Sequence, residues 1–291
     1  MLAQCVVRYG FFELFGVSLT LSTLGFIFLV VATVFIAAGG NVINDIYDVN
    51  ADRINTPKKV IVGKIVPERA AKTFYFILTF IGLGAGFILS TTMGQPLYMI
   101  VFLISALCLY LYSKVLKKVP LIGNLIVSIL VGLALYVVGI FEIYPVIDTY
   151  EGTEYEALLQ ILLDFSIFAA VINLLRELVK DIEDMQGDHV ARYKTIPLLF
   201  GAQRTAKITS VLTLGTLTYI SWYAFNYLYD EKIAVATLIF GVVVPLSFIA
   251  MKLWEARHKK EYSKISLWLK IVMLIGICTI PLITYTLKNA G

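Results

Sequence analysis

The feature that most constrains this chain is a series of long apolar stretches that fill most of its length. A helix needs about 20 apolar residues to cross a bilayer core that is ~30 Å thick. Hydrophobic residues make up 59% of the 291 residues and charged residues only 15%, unlike the balance of a soluble domain. The stretches long enough to cross are 20–44, 73–92, 97–113, 121–141, 157–175, 206–228, 233–252 and 267–287. The sequence therefore predicts an all-α, polytopic membrane helix bundle.

Residues 1–16 are also apolar, but they are too few to cross a bilayer and they carry Arg8 and Glu13. We expect them to be the end of a further, truncated helix whose beginning lies before residue 1. Together with the apolar stretches, this helix would bring the number of membrane helices to nine.

Basic residues crowd alternate connections between the apolar stretches. Lys and Arg are frequent in 48–72, 114–120, 176–207 and 252–270, whereas the connections between them contain almost none. By the positive-inside rule, the basic connections face the cytoplasm. The acids of the opposite side are concentrated in one connection, at Glu142, Asp148, Glu151, Glu154 and Glu156.

Two groups of aspartates share one spacing, and each follows an apolar stretch. The first acidic motif is Asp45, Asp48 and Asp52, and the second acidic motif is Asp181, Asp184 and Asp188. The spacing i, i+3, i+7 places three carboxylates along one face of a helix. The repetition of this spacing suggests a single domain of two pseudo-repeated halves, about 1–141 and 142–291. Because repeats of membrane proteins often form a site where they meet, we expect both motifs to face one cavity.

Clustered carboxylates repel one another unless a cation compensates their charge. Oxygen ligands favour hard cations, and Mg2+ takes one or two carboxylates and leaves its other positions to water and substrate phosphates. Basic residues near both motifs could neutralise further phosphate oxygens. These candidates are Arg53, Lys58, Lys59, Lys117, Lys118, Arg176, Lys180 and Lys194. The pattern predicts a site for Mg2+ and a diphosphate.

Simpler interpretations remain open for each of these features. Acids at a helix end are often a solvated face, although the repeat argues against this. The lysines also satisfy the positive-inside rule without any further role. Asn41 and Asn44, one turn before the first acidic motif, either face a metal or phosphate or form hydrogen bonds between helices.

The motifs resemble the UbiA superfamily of intramembrane prenyltransferases over nearly the whole chain from residue 10. The resemblance implies nine helices around a central cavity, capped by Asp-rich loops that hold Mg2+ and a prenyl diphosphate. The Arg-x-x-Asn motif that is usual in helix 1 of the family is missing. The matching residues are Asn44-Asp45-x-x-Asp48-x-x-x-Asp52-Arg53, Tyr112-Ser113, Leu116-Lys117, Gly123-Asn124, Lys180-Asp181-x-x-Asp184-x-x-Gly187-Asp188, Lys194-Thr195 and Phe200-Gly201.

By position, the resemblance assigns Asn44, Asp48 and Asp52 to one metal motif and Asp184 and Asp188 to the other. Asp45 and Asp181 would be supporting members of the metal site. The same resemblance makes Lys117 part of the catalytic site, in contact with the diphosphate. The other predicted diphosphate contacts are Asn44, Tyr112, Arg53, Lys58, Arg176, Lys180 and Lys194.

The acceptor is predicted less directly. The run Arg-Glu-Leu-Val-Lys-Asp-Ile-Glu-Asp at 176–184 resembles enzymes that prenylate geranylgeranylglyceryl phosphate. Homogentisate prenyltransferases carry a similar Lys-Asp-Ile-x-Asp, so an aromatic acceptor is the alternative. Basic residues near the second acidic motif favour the lipid phosphate. We expect the protein to lie in the plasma (inner) membrane of a prokaryote, with its active site facing the cytoplasm.

A secondary transporter is the competing function from another class, because transporters also contain repeats and intramembrane carboxylates. Their sites usually lie near the midplane of the bilayer, in broken helices. Both acidic motifs instead follow the ends of apolar stretches. The sequence therefore favours an Mg2+-dependent prenyltransferase that acts on a prenyl diphosphate and a membrane-associated acceptor, without nucleic acid.

Overall fold

The structure, a computed structural model, describes residues 1–147 and 153–289. Asp148 and Glu151 of the predicted acidic connection lie outside the described residues. Over the described ranges, the chain forms helices joined by short connections, and the β structure is a single bridge between Val62 and Val66. The helices are α1 Leu2–Val7, α2 Glu13–Phe15, α3 Thr23–Asn55, α4 Glu68–Thr92, α5 Met99–Lys114, α6 Ile122–Glu142, α7 Thr153–Val190, α8 Ile196–Phe200, α9 Ala202–Tyr227, α10 Lys232–Leu238, α11 Val244–Glu255 and α12 Lys259–Asn289. The predicted all-α fold is confirmed.

Seven helical segments among the described residues are long and apolar enough to cross a membrane. They are Thr23–Asn55, Glu68–Thr92, Pro96–Lys114, Ile122–Glu142, Glu154–Val190, Lys232–Glu255 and Lys259–Asn289. The predicted span at 206–228 lies in α9, which has 26 residues but also many Thr, Ser and Tyr side chains. The chain is thus an integral membrane protein, and the count of nine membrane helices stays a prediction.

The described chain divides into two compact units. Unit 1 contains Leu21–Leu130 and Asp184–Thr195, and within it α3, α4 and α5 pack side by side. Gly39 and Gly40 allow this packing: a Cβ on Gly39 would lie 2.8 Å from Thr79 Oγ1, and one on Gly40 2.8 Å from Leu109 Cδ1. Small residues let helices approach closely in a bilayer, where apolar burial gives no drive to associate.

Unit 2 contains Leu2–Thr20, Val131–Glu183 and the described residues from Ile196 onwards. Its core is a cluster of buried aliphatic side chains on α7, α9, α11 and α12. The helical N-terminal segment also belongs to this unit, with a π-helical turn at Arg8–Phe12 between α1 and α2. The predicted pseudo-repeat of two consecutive halves stays a prediction.

A buried ion pair holds the N-terminal segment of unit 2 in place. The Arg8 guanidinium donates to the Glu142 carboxylate, and the two side chains are 7% and 0% exposed. The Glu142 carbonyl also accepts hydrogen bonds from the backbone N–H of Thr20 at 3.2 Å and from its hydroxyl at 2.8 Å. Glu142 is therefore a packing element at the end of α6.

Candidate active site

Both acidic motifs lie inside long helices. The family resemblance implied Asp-rich loops, and that prediction is wrong for this chain. The first motif occupies the last turns of α3, and the second lies near the end of α7. No glycine or proline interrupts the sequence between Gly40 and Pro57, and α3 continues to Asn55. The helical spacing predicted for the carboxylates is present in both motifs.

Lys117 lies beside the first acidic motif, on a short 3-10 turn between α5 and α6. Its ammonium donates to Asn44 Oδ1 at 3.2 Å and forms an ion pair with Asp48. Gly123 allows α6 to begin against this turn, because a Cβ there would lie 2.7 Å from the Lys117 Cα. Burial lowers the pKa of Lys117, and the adjacent Asp48 carboxylate opposes this effect. The structure thus brings together three of the predicted site residues.

Tyr193 connects the first acidic motif to the second. Its hydroxyl donates to Asp48 Oδ1 at 3.2 Å, and its backbone N–H donates to the Asp188 carbonyl at 2.9 Å. The Lys117 ammonium also lies 5.5 Å from the centre of its ring. Burial raises the pKa of the Tyr193 phenol, and the Asp48, Asp188 and Asp52 carboxylates raise it further. Carboxylates of both motifs therefore act on one phenol.

Asn55, at the end of α3, joins the two motifs through its side-chain amide. Its Nδ2 donates to the Asp184 carbonyl at 2.9 Å, and its Oδ1 accepts from the Gly187 N–H at 2.9 Å. Gly187 makes this approach possible, since a Cβ there would lie 2.3 Å from Asn55 Nδ2 and 2.5 Å from the Ala51 carbonyl. The ends of α3 and α7 are therefore joined by direct hydrogen bonds within unit 1.

The remaining predicted site residues differ in exposure and position. Tyr112, Asp52 and Asp184 are half-buried, and Asp188 is only 8% exposed. The exposed members of unit 1 are Asp45, Arg53, Lys58 and Lys194. Arg176, Lys180 and Asp181 belong to unit 2, where Arg176 forms an ion pair with Glu177 at 2.6 Å. Their predicted roles stay predictions.

Tyr193 and Asn55 were missed in the sequence. Asn55 had a signal, because it lies three residues after Asp52 and continues the same helical face beyond the carboxylates. Tyr193 had none, since its bond to Asp48 joins residues 145 positions apart. Only the meeting of α3 with the end of α7 makes that contact.

The donor atoms at this site fit Mg2+. Among the described residues, no three His, Cys, Asp or Glu side chains form a ready-made metal cluster. Mg2+ does not need one, because it takes one or two carboxylates and completes its shell with water and phosphate oxygens. The half-buried Asp48 and Asp52 and the buried Asp188 offer hard oxygen donors around Tyr193. The buried Lys117 next to them provides a cation for a phosphate.

Comparisons with known proteins agree on one family. A model of the UbiA prenyltransferase family matches residues 11–274. A digeranylgeranylglyceryl phosphate synthase of Methanobrevibacter smithii is 32% identical over 267 residues, covering 90% of this chain and 87% of the relative. A UbiA homolog from Aeropyrum pernix K1 has a similar structure, with a TM-score of 0.69, 15% identity and 96% of both chains covered. A UbiA homolog from Archaeoglobus fulgidus bound to GPP and Mg2+ has a TM-score of 0.55 and 17% identity, over 96% of this chain and 95% of that one.

Proposed function

The chain belongs to the UbiA prenyltransferase family, and on this basis we propose that it transfers a geranylgeranyl group to geranylgeranylglyceryl phosphate. The donor is geranylgeranyl diphosphate, and the reaction depends on Mg2+. The bond between the allylic carbon and the diphosphate oxygen breaks, and the acceptor oxygen bonds to that carbon. The acceptor hydroxyl releases its proton, so the products are an ether lipid phosphate, diphosphate and a proton.

The meeting of both acidic motifs at Tyr193 and Asn55, with Lys117 beside the first motif, carries this proposal. A diphosphate leaving group develops negative charge, which the site must stabilise. Bound Mg2+ supplies positive charge to the diphosphate oxygens. The residues that would hold Mg2+ are Asn44, Asp45, Asp48, Asp52, Asp181, Asp184 and Asp188. None of them is needed as a proton donor.

Lys117 is the side chain best placed to contact the diphosphate. Its ammonium has three donors, so it can keep its bonds to Asn44 and Asp48 and still donate to a phosphate oxygen. Its burial excludes water, and this strengthens its attraction for an anion. The other predicted contacts are Tyr112, Arg53, Lys58, Arg176, Lys180 and Lys194.

Exclusion of water is the second requirement of the reaction. An allylic cation that forms as the diphosphate departs would react with water. Membrane helices provide apolar surroundings beyond the acidic helix ends. A long isoprenoid chain can extend along such surfaces without leaving the bilayer.

Two observations support geranylgeranylglyceryl phosphate as the acceptor. Relatives at 32% and 31% identity are named digeranylgeranylglyceryl phosphate synthase. The basic residues around the second acidic motif suit an acceptor that carries a phosphate. They are Arg176, Lys180, Arg192 and Lys194. By the positive-inside rule, the basic connections face the cytoplasm, and the active site faces it too, in the plasma membrane of a prokaryote.

The test uses membranes that contain the full chain, with labelled geranylgeranyl diphosphate, Mg2+ and a panel of acceptors. We expect prenylation of geranylgeranylglyceryl phosphate and none after chelation of Mg2+. Asp48→Asn and Asp188→Asn should each abolish turnover, whereas Asp230→Asn, at an exposed position outside the site, should retain it.

Two outcomes would contradict the proposal in different ways. Prenylation of hydroxybenzoate, naphthoate or homogentisate in place of the lipid phosphate would overturn the acceptor alone. Full turnover by both motif variants would overturn the assignment of the site.

A further inference from the structure

Unit 2 encloses an apolar cavity whose lining contains none of the predicted site residues. Its volume is about 250 Å³, and α6, α7, α9, α10 and α12 contribute to its walls, together with the turn after α10. Three of its lining residues, Tyr223, Tyr227 and Thr279, carry a polar side-chain atom. The Thr279 hydroxyl already donates to the Gly276 carbonyl at 2.7 Å. Because water needs several polar partners, this cavity suits an apolar chain.

One carboxylate lies on α7 among residues that line the cavity. Asp164 is on α7, inside the membrane-crossing segment Glu154–Val190. Its carboxylate accepts a hydrogen bond from Gln160 Nε2 at 3.2 Å, and it lies one helical turn from the cavity-lining residues Ile161 and Phe168. Charged side chains are costly inside a bilayer and usually mark a functional site. Asp164 thus lies on α7 beside side chains that line the apolar cavity.

Asp164 has no basic partner in the part of the chain that the structure describes, where the ion pairs involve other carboxylates. The Gln160 amide that donates to it is neutral. The carboxylate is half-buried, so a cation can still approach it. A negative charge in these surroundings attracts a cation that can also donate hydrogen bonds.

Aromatic rings pack against Phe168, which lines the cavity one helical turn from Asp164. Tyr219 and Trp222 stack with ring centres 5.6 Å apart, and Tyr227 meets Trp222 edge-on at 6.1 Å. Phe168 packs against Tyr223 at 5.5 Å. Tyr219, Trp222 and Tyr227 are exposed by 51%, 49% and 62%. Because the face of an aromatic ring carries partial negative charge, exposed rings packed one helical turn from a carboxylate favour an ammonium group.

We propose that unit 2 contains a second lipid site, which binds a long-chain amphiphile with a protonated amine head. The apolar chain fills the cavity, and the ammonium group binds Asp164 among the exposed rings. Asp164 and Asp181 lie on the same helix, about 25 Å apart at the helical rise per residue. The site is therefore separate from the second acidic motif, and it does not depend on the proposed reaction.

The test measures equilibrium binding of radiolabelled oleylamine and oleyl alcohol to the full chain in detergent micelles. We expect saturable binding of the amine, about tenfold tighter than that of the alcohol, as for one charge-assisted hydrogen bond. The Asp164→Asn variant keeps the shape of the side chain and should bind both probes equally. Equal affinity in the unchanged protein, or a preference for the amine that persists in this variant, would overturn the proposal.

A second variant tests the cavity itself. Ala169 lines the cavity, so Ala169→Phe should fill the space and lower the affinity for both probes about tenfold or more. Ile167→Phe is the matched control, because Ile167 lies on the same helix and is 46% exposed. This control should bind both probes normally. Unchanged binding by Ala169→Phe would place the probes elsewhere and overturn the site.

Discussion

Asn55 and Gly187 bind each other through one hydrogen bond, from the Gly187 N–H to the Asn55 Oδ1 at 2.9 Å. The same amide donates to the Asp184 carbonyl at 2.9 Å. Asn55 follows the first acidic motif, and Gly187 lies within the second. One side chain therefore fixes the separation of two groups of carboxylates that would otherwise repel each other.

Replacement of Asn55 by Ala should lower prenyl transfer about 10- to 100-fold, because two hydrogen bonds worth ~0.5–1.5 kcal/mol each are lost. The Mg2+ concentration needed for half-maximal rate should rise, since the motifs would no longer be held together. Rates measured across a Mg2+ titration check both effects. Asn50→Ala, at an exposed position of the same helix, should behave like the unchanged protein. An unaltered Mg2+ dependence in Asn55→Ala would contradict this role.

Gly187→Ala should reduce turnover more strongly than Asn55→Ala. The added Cβ would lie 2.3 Å from Asn55 Nδ2 and 2.5 Å from the Ala51 carbonyl, so α7 would have to move away from α3. Turnover and thermal unfolding in detergent measure the effect. Gly84→Ala is the control, because a Cβ there meets nothing within 4 Å. Normal turnover by Gly187→Ala would show that the close contact is not required.

Lys117→Met should lower turnover about 100-fold or more, the size expected when one donor to a developing negative charge is removed. Lys117 is buried in an ion pair with Asp48, whereas the neighbouring Lys118 is exposed. Lys118→Met should therefore have a much smaller effect. Single-turnover rates with saturating prenyl diphosphate distinguish loss of chemistry from loss of binding. Equal effects of the two variants would indicate a role in membrane orientation alone.

Tyr193→Phe should lower turnover about 3- to 10-fold, because it removes one hydrogen bond to Asp48 and leaves the ring in place. The Lys117 ammonium would keep its contact with the ring face. Tyr229→Phe is the control, as Tyr229 is 67% exposed. Steady-state rates for both variants check the prediction. The prediction fails if the rate of Tyr193→Phe is indistinguishable from that of Tyr229→Phe.

Arg8→Met and Glu142→Gln should each destabilise the protein by about 3–5 kcal/mol, since a buried charge loses its partner. The double change to Met at both positions should recover most of this loss. Unfolding in detergent, followed for the single and double variants, measures the coupling between them. Glu13→Gln should have little effect, because Glu13 is 47% exposed and lies 3.7 Å from Arg8 Nε. Additive losses in the double variant would exclude a coupled pair.

Local sequence patterns determined the class of fold, and the predicted site residues include Asn44, Asp48 and Lys117, which the structure brings together. The length of the apolar stretches determined the membrane helices. A segment that crosses lipid must satisfy all its backbone hydrogen bonds internally, and a helix does so. The spacing of Asp45, Asp48 and Asp52 determined their common face, since the helical period is fixed. These properties depend only on residues within one helix.

Tertiary structure decided which of the predicted residues meet. Charge and spacing do not separate Lys117 from Lys118, and only the family resemblance singled out Lys117. In the structure, Gly123 lets α6 begin close against the turn that carries Lys117, and Lys117 is buried beside Asp48. Tyr193 and Asn55 join the motifs through contacts between distant parts of the chain. Such contacts depend on how closely two helices approach, and small residues such as Gly187 set that distance. The sequence by itself determined the chemistry of the donor atoms, and only packing between helices decided which of them share a site.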